Sequence, residues 1–138
     1  MIKALLVDFF NVLLVSDNKL FSNYQLNQEL LAYLKNLKSK YKLYIFTSSN
    51  LNNDLEMKAK LEAIFEKIYT VSEIGSPKDQ TKAYQFILKD LNLKPDEVLF
   101  IDDGLDYVQT AQELGLKALQ FITNQKLFNN LEEILNEK

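Results

Sequence analysis

The chain has 138 residues, of which 47% are apolar and 25% are charged, and this is the length and composition of one globular domain. The formal charge is −3 and all 16 basic residues are lysines, so the lack of an arginine fork argues against dedicated nucleic-acid binding. Cysteine and histidine are both absent, which excludes disulfides, thiolate metal sites and the commonest general base, so any catalysis must use carboxylates, lysine, hydroxyl groups or a hard metal ion.

Apolar runs and helical patterns alternate from the first residues onward. Residues 2–10 form an almost continuous apolar run, which is typical of a strand buried on both faces. Because Asp8 and Asn11 interrupt this segment and no cleavage pattern follows, we do not interpret it as a signal peptide, and we expect a cytoplasmic protein. Asn27 can cap a first helix, whose leucines recur every three or four residues. Residues 43–46 predict a second strand.

The rest of the chain repeats this alternation, without an apolar run long enough to span a membrane. The remaining predicted elements are a helix from Asn53 or Asp54, a strand at 68–71, a helix after the break at 75–77, a strand at 98–101, a helix Leu105–Leu114 ending at Gly115, a strand at 118–122 and a terminal amphipathic helix. This order predicts an α/β doubly wound three-layer sandwich with a five-stranded parallel sheet. Since no linker or repeat is visible, we expect residues 1–138 to form one domain.

Polar residues gather where the predicted strands end. In a doubly wound protein the carboxyl ends of the strands lie at one edge of the sheet, and ligands bind there. The residues that we expect at this edge are Asp8, Thr47, Ser48, Lys78, Asp102 and Asp103, with Lys78 at the start of the third helix. Each has an ordinary structural interpretation, such as a turn or a cap, but three acids, two hydroxyls and one ammonium together predict a metal-assisted phosphate site.

In this arrangement the chain resembles the haloacid dehalogenase superfamily over essentially its whole length. Four segments carry the resemblance, in the family's order and at suitable spacing: LLVDFFNVLL, LYIFTSS, GSPKDQTKAYQFI and LKPDEVLFIDDG. The resemblance implies a Rossmannoid fold with strand order 3-2-1-4-5, and an activity that in this superfamily is mostly that of a phosphatase.

The resemblance also implies roles for the catalytic residues. Asp8 would attack phosphorus in line and form an aspartyl-phosphate. Thr47 would donate a hydrogen bond to a phosphoryl oxygen, with the backbone of Ser48 nearby. Lys78 would neutralise charge between the Asp8 carboxylate and the incoming phosphoryl group.

A magnesium ion is the implied cofactor. A carboxylate cannot approach a phosphate dianion until a cation screens their repulsion, and hard oxygen ligands suit Mg²⁺. By resemblance, the ion would be held by Asp8, the backbone carbonyl of Phe10, Asp102 and Asp103. The partner would be a phosphorylated substrate, either a small molecule or a macromolecule.

The first motif departs from the family's pattern at Phe10. Phosphatases of the family usually have a second Asp at this position, which protonates the leaving group and later activates water. Phenylalanine keeps the backbone carbonyl but cannot transfer a proton, and general acid–base help contributes roughly 10²–10⁴-fold. We therefore expect a weakened acid–base step, and we interpret the Phe10 side chain as core filling at the strand end.

Three alternatives stay open. A dehalogenase of the same superfamily also lacks the second Asp, because a halide leaving group needs no proton. It has no use, however, for the acidic pair Asp102-Asp103. A catalytically inactive module of the same fold, with a binding or regulatory role, is favoured by Phe10. A receiver-like signalling domain also has clustered Asp residues and a Lys, but its acidic pair follows the first strand, and here that order is reversed.

We expect no cap domain. Only about a dozen residues separate Leu13 from the first helix, and a lone helix lies between the second and third strands. By resemblance, an open site suits a large substrate, or one that is covered by a partner or a second copy of the chain.

Overall fold

The computed structural model describes residues 1–16 and 24–136. The strands in these ranges are β1 (Ala4–Val7), β2 (Leu14–Ser16), β3 (Tyr24–Leu26), β4 (Lys42–Thr47), β5 (Lys67–Thr70), β6 (Val98–Asp102) and β7 (Lys117–Gln120). The α-helices are α1 (Gln28–Leu37), α2 (Leu55–Glu62), α3 (Val71–Ile74), α4 (Thr81–Leu91), α5 (Leu105–Leu114) and α6 (Asn124–Leu135), and a 3₁₀ turn spans Pro95–Glu97.

Five of the strands form one parallel sheet in the order β5-β4-β1-β6-β7. This confirms the predicted fold class and strand order. The central strand β1 places Val7 beside Ile45 of β4 and Ile101 of β6. The residues that follow these three strands therefore emerge at the same level of one sheet edge.

Alternation of side chains along the strands gives the sheet two buried faces. Leu5 and Val7 belong to one core with α1, α2 and α6, whereas Ala4 and Leu6 belong to a second core with α4 and α5. All four side chains of β1 are fully buried, which explains why this strand reads as a continuous apolar run. The helices on both faces fix the sheet, and its carboxyl edge stays free for a site.

The helix ends follow the predicted signals. The side chain of Asn27 accepts a hydrogen bond from the Leu30 amide at the start of α1, and Asp54 caps α2 in the same way. Gly115 ends α5 with a φ of 106°, a left-handed conformation that favours glycine. Even α6, with 12 residues, is short, and no helix of the described ranges has the length and apolar character for a bilayer span.

Several predicted boundaries differ from the structure, including the end of the last strand, which lies at Gln120 and not at residue 122. The first strand ends at Val7, directly before Asp8 as expected, but the apolar run to residue 10 is longer than the strand, because residues 9–14 turn back on themselves with the Leu13 and Leu14 amides donating to the Phe9 carbonyl. The third strand ends at Thr70, since this residue caps the short helix α3, which was not predicted. Lys78 precedes α4, whose first helical residue is Thr81, instead of starting it.

The antiparallel pair of β2 and β3 was also missed. It lies between β1 and α1, at the first of the two places where a cap was considered. Residues 17–23, which fall in the same interval, lie outside the described residues. At the second place, between β4 and β5, the structure has only the predicted helix α2.

Candidate active site

An ammonium group between two carboxylates forms the centre of the site. The Lys78 Nζ donates to Asp8 Oδ1 at 2.6 Å and to Asp102 Oδ2 at 2.8 Å. The exposed fractions of Lys78, Asp8 and Asp102 are 3%, 6% and 0%. Charges removed from water to this extent are costly unless they are paired, so the three groups stabilise one another in one geometry.

Aromatic rings and one hydroxyl hold Lys78 in place. Its ammonium lies 5.1 Å from the ring centroid of Phe46, 5.9 Å from that of Phe100 and 5.7 Å from that of Tyr107. The Tyr84 hydroxyl, which is buried on α4, donates to the Lys78 carbonyl at 2.6 Å. Lys78 is thus fixed through its backbone as well as through its side chain.

Removing the Tyr84 hydroxyl should loosen this lysine. In a Tyr84→Phe variant the buried Lys78 carbonyl loses its donor, which costs about 1–3 kcal/mol. We expect a Tm lower by roughly 3–10 °C in a thermal melt. The control is Tyr44→Phe, which removes a hydroxyl from a partly buried tyrosine of β4 that packs against the same core as Tyr84. Equal Tm changes in the two variants would show that the hydrogen bond from Tyr84 to Lys78 stabilises the fold no more than the Tyr44 hydroxyl does.

The third acid, Asp103, completes an acidic cluster. Asp8, Asp102 and Asp103 each offer one carboxylate oxygen, and these oxygens lie within 4.8 Å of one another. Asn11 Nδ2 donates to Asp103 Oδ2 at 3.3 Å, across 92 residues of sequence. Asn11 has a φ of 66°, a left-handed conformation that Asn tolerates better than most residues. The turn after β1 therefore orients an acid that follows β6.

The acidic cluster fits a magnesium ion. Oxygens bound to one Mg²⁺ at about 2.0–2.1 Å lie within about 4.2 Å of each other, so the three carboxylates need to draw in by only about half an ångström. All three donors are hard oxygen atoms, which is the ligand type that Mg²⁺ prefers. The Asp102 Oδ1 also accepts from the Gly104 amide at 2.9 Å, which fixes the orientation of that carboxylate.

Burial raises the pKa of Asp8 from an ordinary 3.8 to about 7, with the neighbouring acids adding to the rise and the Lys78 ammonium opposing it. Burial, together with the charge of Asp102, also raises the pKa of Asp103. Without a bound metal ion, Asp8 and Asp103 therefore retain protons that isolated carboxyls would have lost at the same pH. A divalent ion would favour the ionised forms and would release these protons.

The raised pKa of Asp8 predicts that the free energy of unfolding changes with pH in a known direction. Because the folded pKa of Asp8 lies above the unfolded value, the folded state holds a proton that the unfolded state releases, and stability falls as the pH rises from 3.8 to about 7. An Asp8→Asn variant escapes this loss. In EDTA we expect the Tm of Asp8→Asn, relative to that of the wild type, to be higher at pH 8 than at pH 5.

The exposed Asp106, on the same edge of the sheet, provides the control for this measurement. Asp106→Asn should change the Tm by a similar small amount at both pH values. If Asp8→Asn gave the same Tm difference at pH 5 and pH 8, burial of an ionisable group at Asp8 would not be the cause.

The end of β4 forms one wall of the site. Thr47 is fully buried, and its hydroxyl oxygen accepts from the Ser49 amide at 2.9 Å. A cavity of about 220 Å³ opens in front of it, and its lining residues are Asp8, Phe10, Ser48, Ser49, Lys78, Asp103 and Tyr107. The six residues predicted at this edge are thus brought together, with Thr47 and Asp102 buried behind the cavity.

The interpretation of Phe10 as core filling was wrong. Its side chain is 41% exposed and packs on the half-exposed Tyr24 of β3, with ring centroids 5.0 Å apart. The chain leaves β1 at Val7, so Phe10 falls in the turn beyond the buried part of the strand. Phe10 is nevertheless at the cavity, where the acid–base residue was expected. Its carbonyl as a metal ligand stays a prediction.

Sequence reasoning missed Asn11, Tyr84 and Tyr107. Asn11 carried a usable signal, because an Asn directly after an apolar strand often occupies a left-handed turn position. Tyr84 lies among the apolar residues of its helix, and nothing local reveals that its hydroxyl reaches Lys78. Tyr107 has no signal of a role in the sequence, and its ring lies so close to Gly104 that an added Cβ there would be 2.6 Å from the ring.

A family model for haloacid dehalogenase-like hydrolases matches residues 2–115. The chain belongs to this family. Among curated proteins, it is 26% identical over 114 residues to D-ribitol-5-phosphate phosphatase of Bacteroides thetaiotaomicron, an alignment that covers 77% of the chain. The chain spans 55% of the length of that phosphatase and 14–22% of the length of four other curated relatives.

Solved structures share the fold of this haloacid dehalogenase-like chain. A predicted HAD-like family hydrolase from Porphyromonas gingivalis superposes with a TM-score of 0.82 at 19% identity, over 100% of both chains. A HAD family enzyme from Bacteroides thetaiotaomicron, solved with magnesium and inorganic phosphate, superposes with a TM-score of 0.76 at 20% identity, over 93% of this chain and 100% of the other. At these identities the likeness extends to the fold alone.

Proposed function

We propose that the chain is a Mg²⁺-dependent hydrolase or transferase of phosphate monoesters, which acts through an aspartyl-phosphate on Asp8. The observation that carries the proposal is the Lys78 ammonium between Asp8 and Asp102, with Asp103 within reach of the same ion. Membership of the hydrolase family and the similarity to a curated sugar-alcohol phosphatase support it. The fold relative that was solved with magnesium and phosphate supports the choice of ion.

In the first step an Asp8 carboxylate oxygen attacks phosphorus. A bond forms between that oxygen and phosphorus, and the bond from phosphorus to the leaving oxygen breaks with its electron pair staying on the leaving group. Lys78 contacts Asp8 directly, so its charge offsets the negative charge that gathers as the two anionic groups meet. Ser48 and Ser49 also line the cavity, where their polar groups can bind phosphoryl oxygens.

In the second step water attacks the phosphorus of the aspartyl-phosphate, and the Asp8 carboxylate leaves. Both steps need a proton transfer that Phe10 cannot provide. The leaving alkoxide must then take its proton from water, and attacking water must lose its proton to solvent or to phosphate. Substrates whose leaving groups are weak bases should therefore turn over faster than alkyl esters.

A bound Mg²⁺ would supply Lewis-acid stabilisation of the phosphoryl oxygens and would screen the charge of the nucleophile. The chain's own acids would hold it, through Asp8, Asp102, Asp103 and the Phe10 carbonyl. We also propose that residues 1–138 act as a single domain without a cap, and that a partner or a second copy covers the site.

A non-enzymatic role is the second candidate, and Phe10 is the observation that favours it. A binding module would keep the fold and the ion but would have no need of an acid–base residue. The intact pairing of Asp8 with Lys78 favours the enzyme instead. The family match leaves the receiver-like alternative without support.

A phosphatase panel with and without Mg²⁺ separates the two candidates. We expect slow turnover of acetyl phosphate and aryl phosphates with Mg²⁺, and a loss of at least about 10²-fold in EDTA that added Mg²⁺ restores. Clear Mg²⁺ binding by calorimetry, with no turnover of any substrate on the panel, would favour the binding module.

A further inference from the structure

An exposed aromatic ring lies at the cavity in front of Asp8. Phe10 lines this cavity of about 220 Å³, and its side chain is 41% exposed. A single exposed phenylalanine is common on protein surfaces and by itself needs no functional explanation. Phe10 differs from that ordinary case because it shares the cavity with Asp8 and Lys78. A substrate bound at Asp8 therefore lies within reach of its ring.

The surface that this cavity presents is mostly apolar. Asp8 and Lys78 contribute little to it, since both side chains are almost fully buried. Two of the seven lining residues, Phe10 and Tyr107, are aromatic. Once a phosphoryl group occupies the polar end of the cavity at Asp8, the rest of the substrate meets a surface that is rich in ring carbon atoms.

The ring of Phe10 is held in place before any substrate binds. It packs on Tyr24 of β3, with ring centroids 5.0 Å apart and ring planes inclined at 41°. The turn that contains Phe10 is closed by hydrogen bonds from the Leu13 and Leu14 amides to the Phe9 carbonyl. A side chain that is already ordered loses little conformational entropy when a ligand binds. Phe10 is therefore a preformed surface for a flat apolar group.

The chemistry of the site independently restricts the leaving group. Phe10 cannot donate a proton, so the leaving oxygen departs from phosphorus as an anion. A phenol has an ordinary pKa of about 10. An aliphatic alcohol is a far weaker acid, so a phenolate leaves much more readily than an alkoxide does. An aryl ester therefore loses much less than an alkyl ester from the absence of an acid at position 10.

We propose that Phe10 is a specificity-determining residue whose exposed ring packs against an aromatic leaving group, and that aryl phosphate monoesters are the substrate class of the site. This inference rests on the proposed phosphatase function and extends it to the leaving group. In the first step the bond from phosphorus to the phenolic oxygen breaks, its electron pair stays on that oxygen, and the phenolate takes a proton from water. The residue at the usual acid position thus binds the kind of leaving group that needs no acid.

The test separates recognition of the ring from the basicity of the leaving group. Phenyl phosphate is compared with hexafluoroisopropyl phosphate, because the alcohol of that ester is about as acidic as phenol but has no ring. Phe10→Leu removes the ring and keeps an apolar side chain, and Phe10→Tyr keeps a ring at the same position. The matched control is Phe86→Leu, since Phe86 is 46% exposed on α4 and is not part of the cavity lining.

We expect the wild type to prefer phenyl phosphate over the fluorinated ester by about threefold to tenfold in kcat/KM, which is the size of an aromatic pairing effect. Phe10→Leu should lower this ratio to about one, whereas Phe10→Tyr and Phe86→Leu should keep it within about twofold of the wild-type ratio. Free phosphotyrosine and a short phosphotyrosine peptide contain the same aryl ester. Their relative kcat/KM values show whether the ring reaches the site on a small molecule or on a polypeptide.

Benzylphosphonate, a non-hydrolysable analogue of phenyl phosphate, gives a measurement that involves no leaving group. It should inhibit turnover of acetyl phosphate by the wild type more strongly than methylphosphonate does. Phe10→Leu should raise the inhibition constant of benzylphosphonate by about threefold to tenfold, and that of methylphosphonate by less than about twofold. This comparison stays valid if Phe10→Leu lowers the rates towards all substrates.

Failure of this inference can be told apart from failure of the phosphatase function. If the wild type turns over acetyl phosphate but does not prefer the phenyl ester, or if Phe10→Leu keeps the wild-type preference, only this inference is overturned. If the wild type does not turn over acetyl phosphate at all with Mg²⁺, the phosphatase function itself is contradicted, and the role of Phe10 is contradicted with it.

Discussion

Replacing Asp8 by Asn should abolish phosphoryl transfer, with a loss of kcat/KM of at least about 10³-fold towards every substrate of the chain. The amide is close in size to the carboxylate, but its oxygen is a far weaker nucleophile and cannot form the aspartyl-phosphate. The change also removes one half of the contact with Lys78, which retains Asp102 at 2.8 Å. The measurement is steady-state turnover of acetyl phosphate at saturating Mg²⁺.

The exposed Asp106 again gives the matched control for the nucleophile. Asp106→Asn removes a carboxylate from the same edge of the sheet, in the first turn of α5, and should keep activity within about twofold. Lost activity in an Asp8→Asn variant whose Tm is not lowered would identify the loss as chemical. Activity of Asp8→Asn near the wild-type level would exclude Asp8 as the nucleophile.

Restoring an acid at position 10 should have the second largest effect. In Phe10→Asp the new carboxyl group would lie at the mouth of the cavity that contains Asp8, where it can protonate a leaving oxygen. We expect kcat/KM towards an alkyl phosphate to rise by roughly 10²-fold or more, within the 10²–10⁴-fold range of general acid–base help. Towards acetyl phosphate, whose leaving group needs no proton, the gain should be small.

Phe10→Asn separates proton transfer from the loss of the ring. It removes the same contact with Tyr24 and opens the same space, but it offers no ionisable group. Because Phe10 is 41% exposed, both variants should fold. A similar gain in the Asn and Asp variants would mean that the phenyl ring merely obstructs the site. No gain in either would count against position 10 as the acid–base position.

The acids of the site could be predicted because topology alone brings them together. Asp8 and Asp102 follow strands β1 and β6, and parallel strands that are neighbours in a sheet end at one edge. The alternation of apolar runs with amphipathic helices was enough to predict a parallel sheet with a helix layer on each face, and the family resemblance implied the strand order. These features depend on patterns that a sequence shows directly.

Other features depended on contacts that no local pattern encodes. The strands β2 and β3 have three residues each, which is too short to show an alternating pattern. The first residue of β2, Leu14, also continues the apolar run of the first motif, so the start of β2 is not visible in the sequence. The side chain of Phe10 is exposed because β1 ends at Val7. A continuous apolar run does not show where the strand inside it ends. Tyr84 acts through one hydroxyl, which a helical pattern counts only as part of an apolar face.

The most direct test of the whole account is to trap the phosphoryl group on the chain. The protein is mixed with acetyl phosphate and Mg²⁺, treated with borohydride, which reduces an aspartyl-phosphate to homoserine, and then digested for mass spectrometry. We expect homoserine at position 8, and its absence when EDTA replaces Mg²⁺. Turnover that leaves Asp8 unmodified, or homoserine at Asp102 or Asp103 instead, would contradict the claim that Asp8, Lys78 and the acidic pair form one phosphoryl-transfer site.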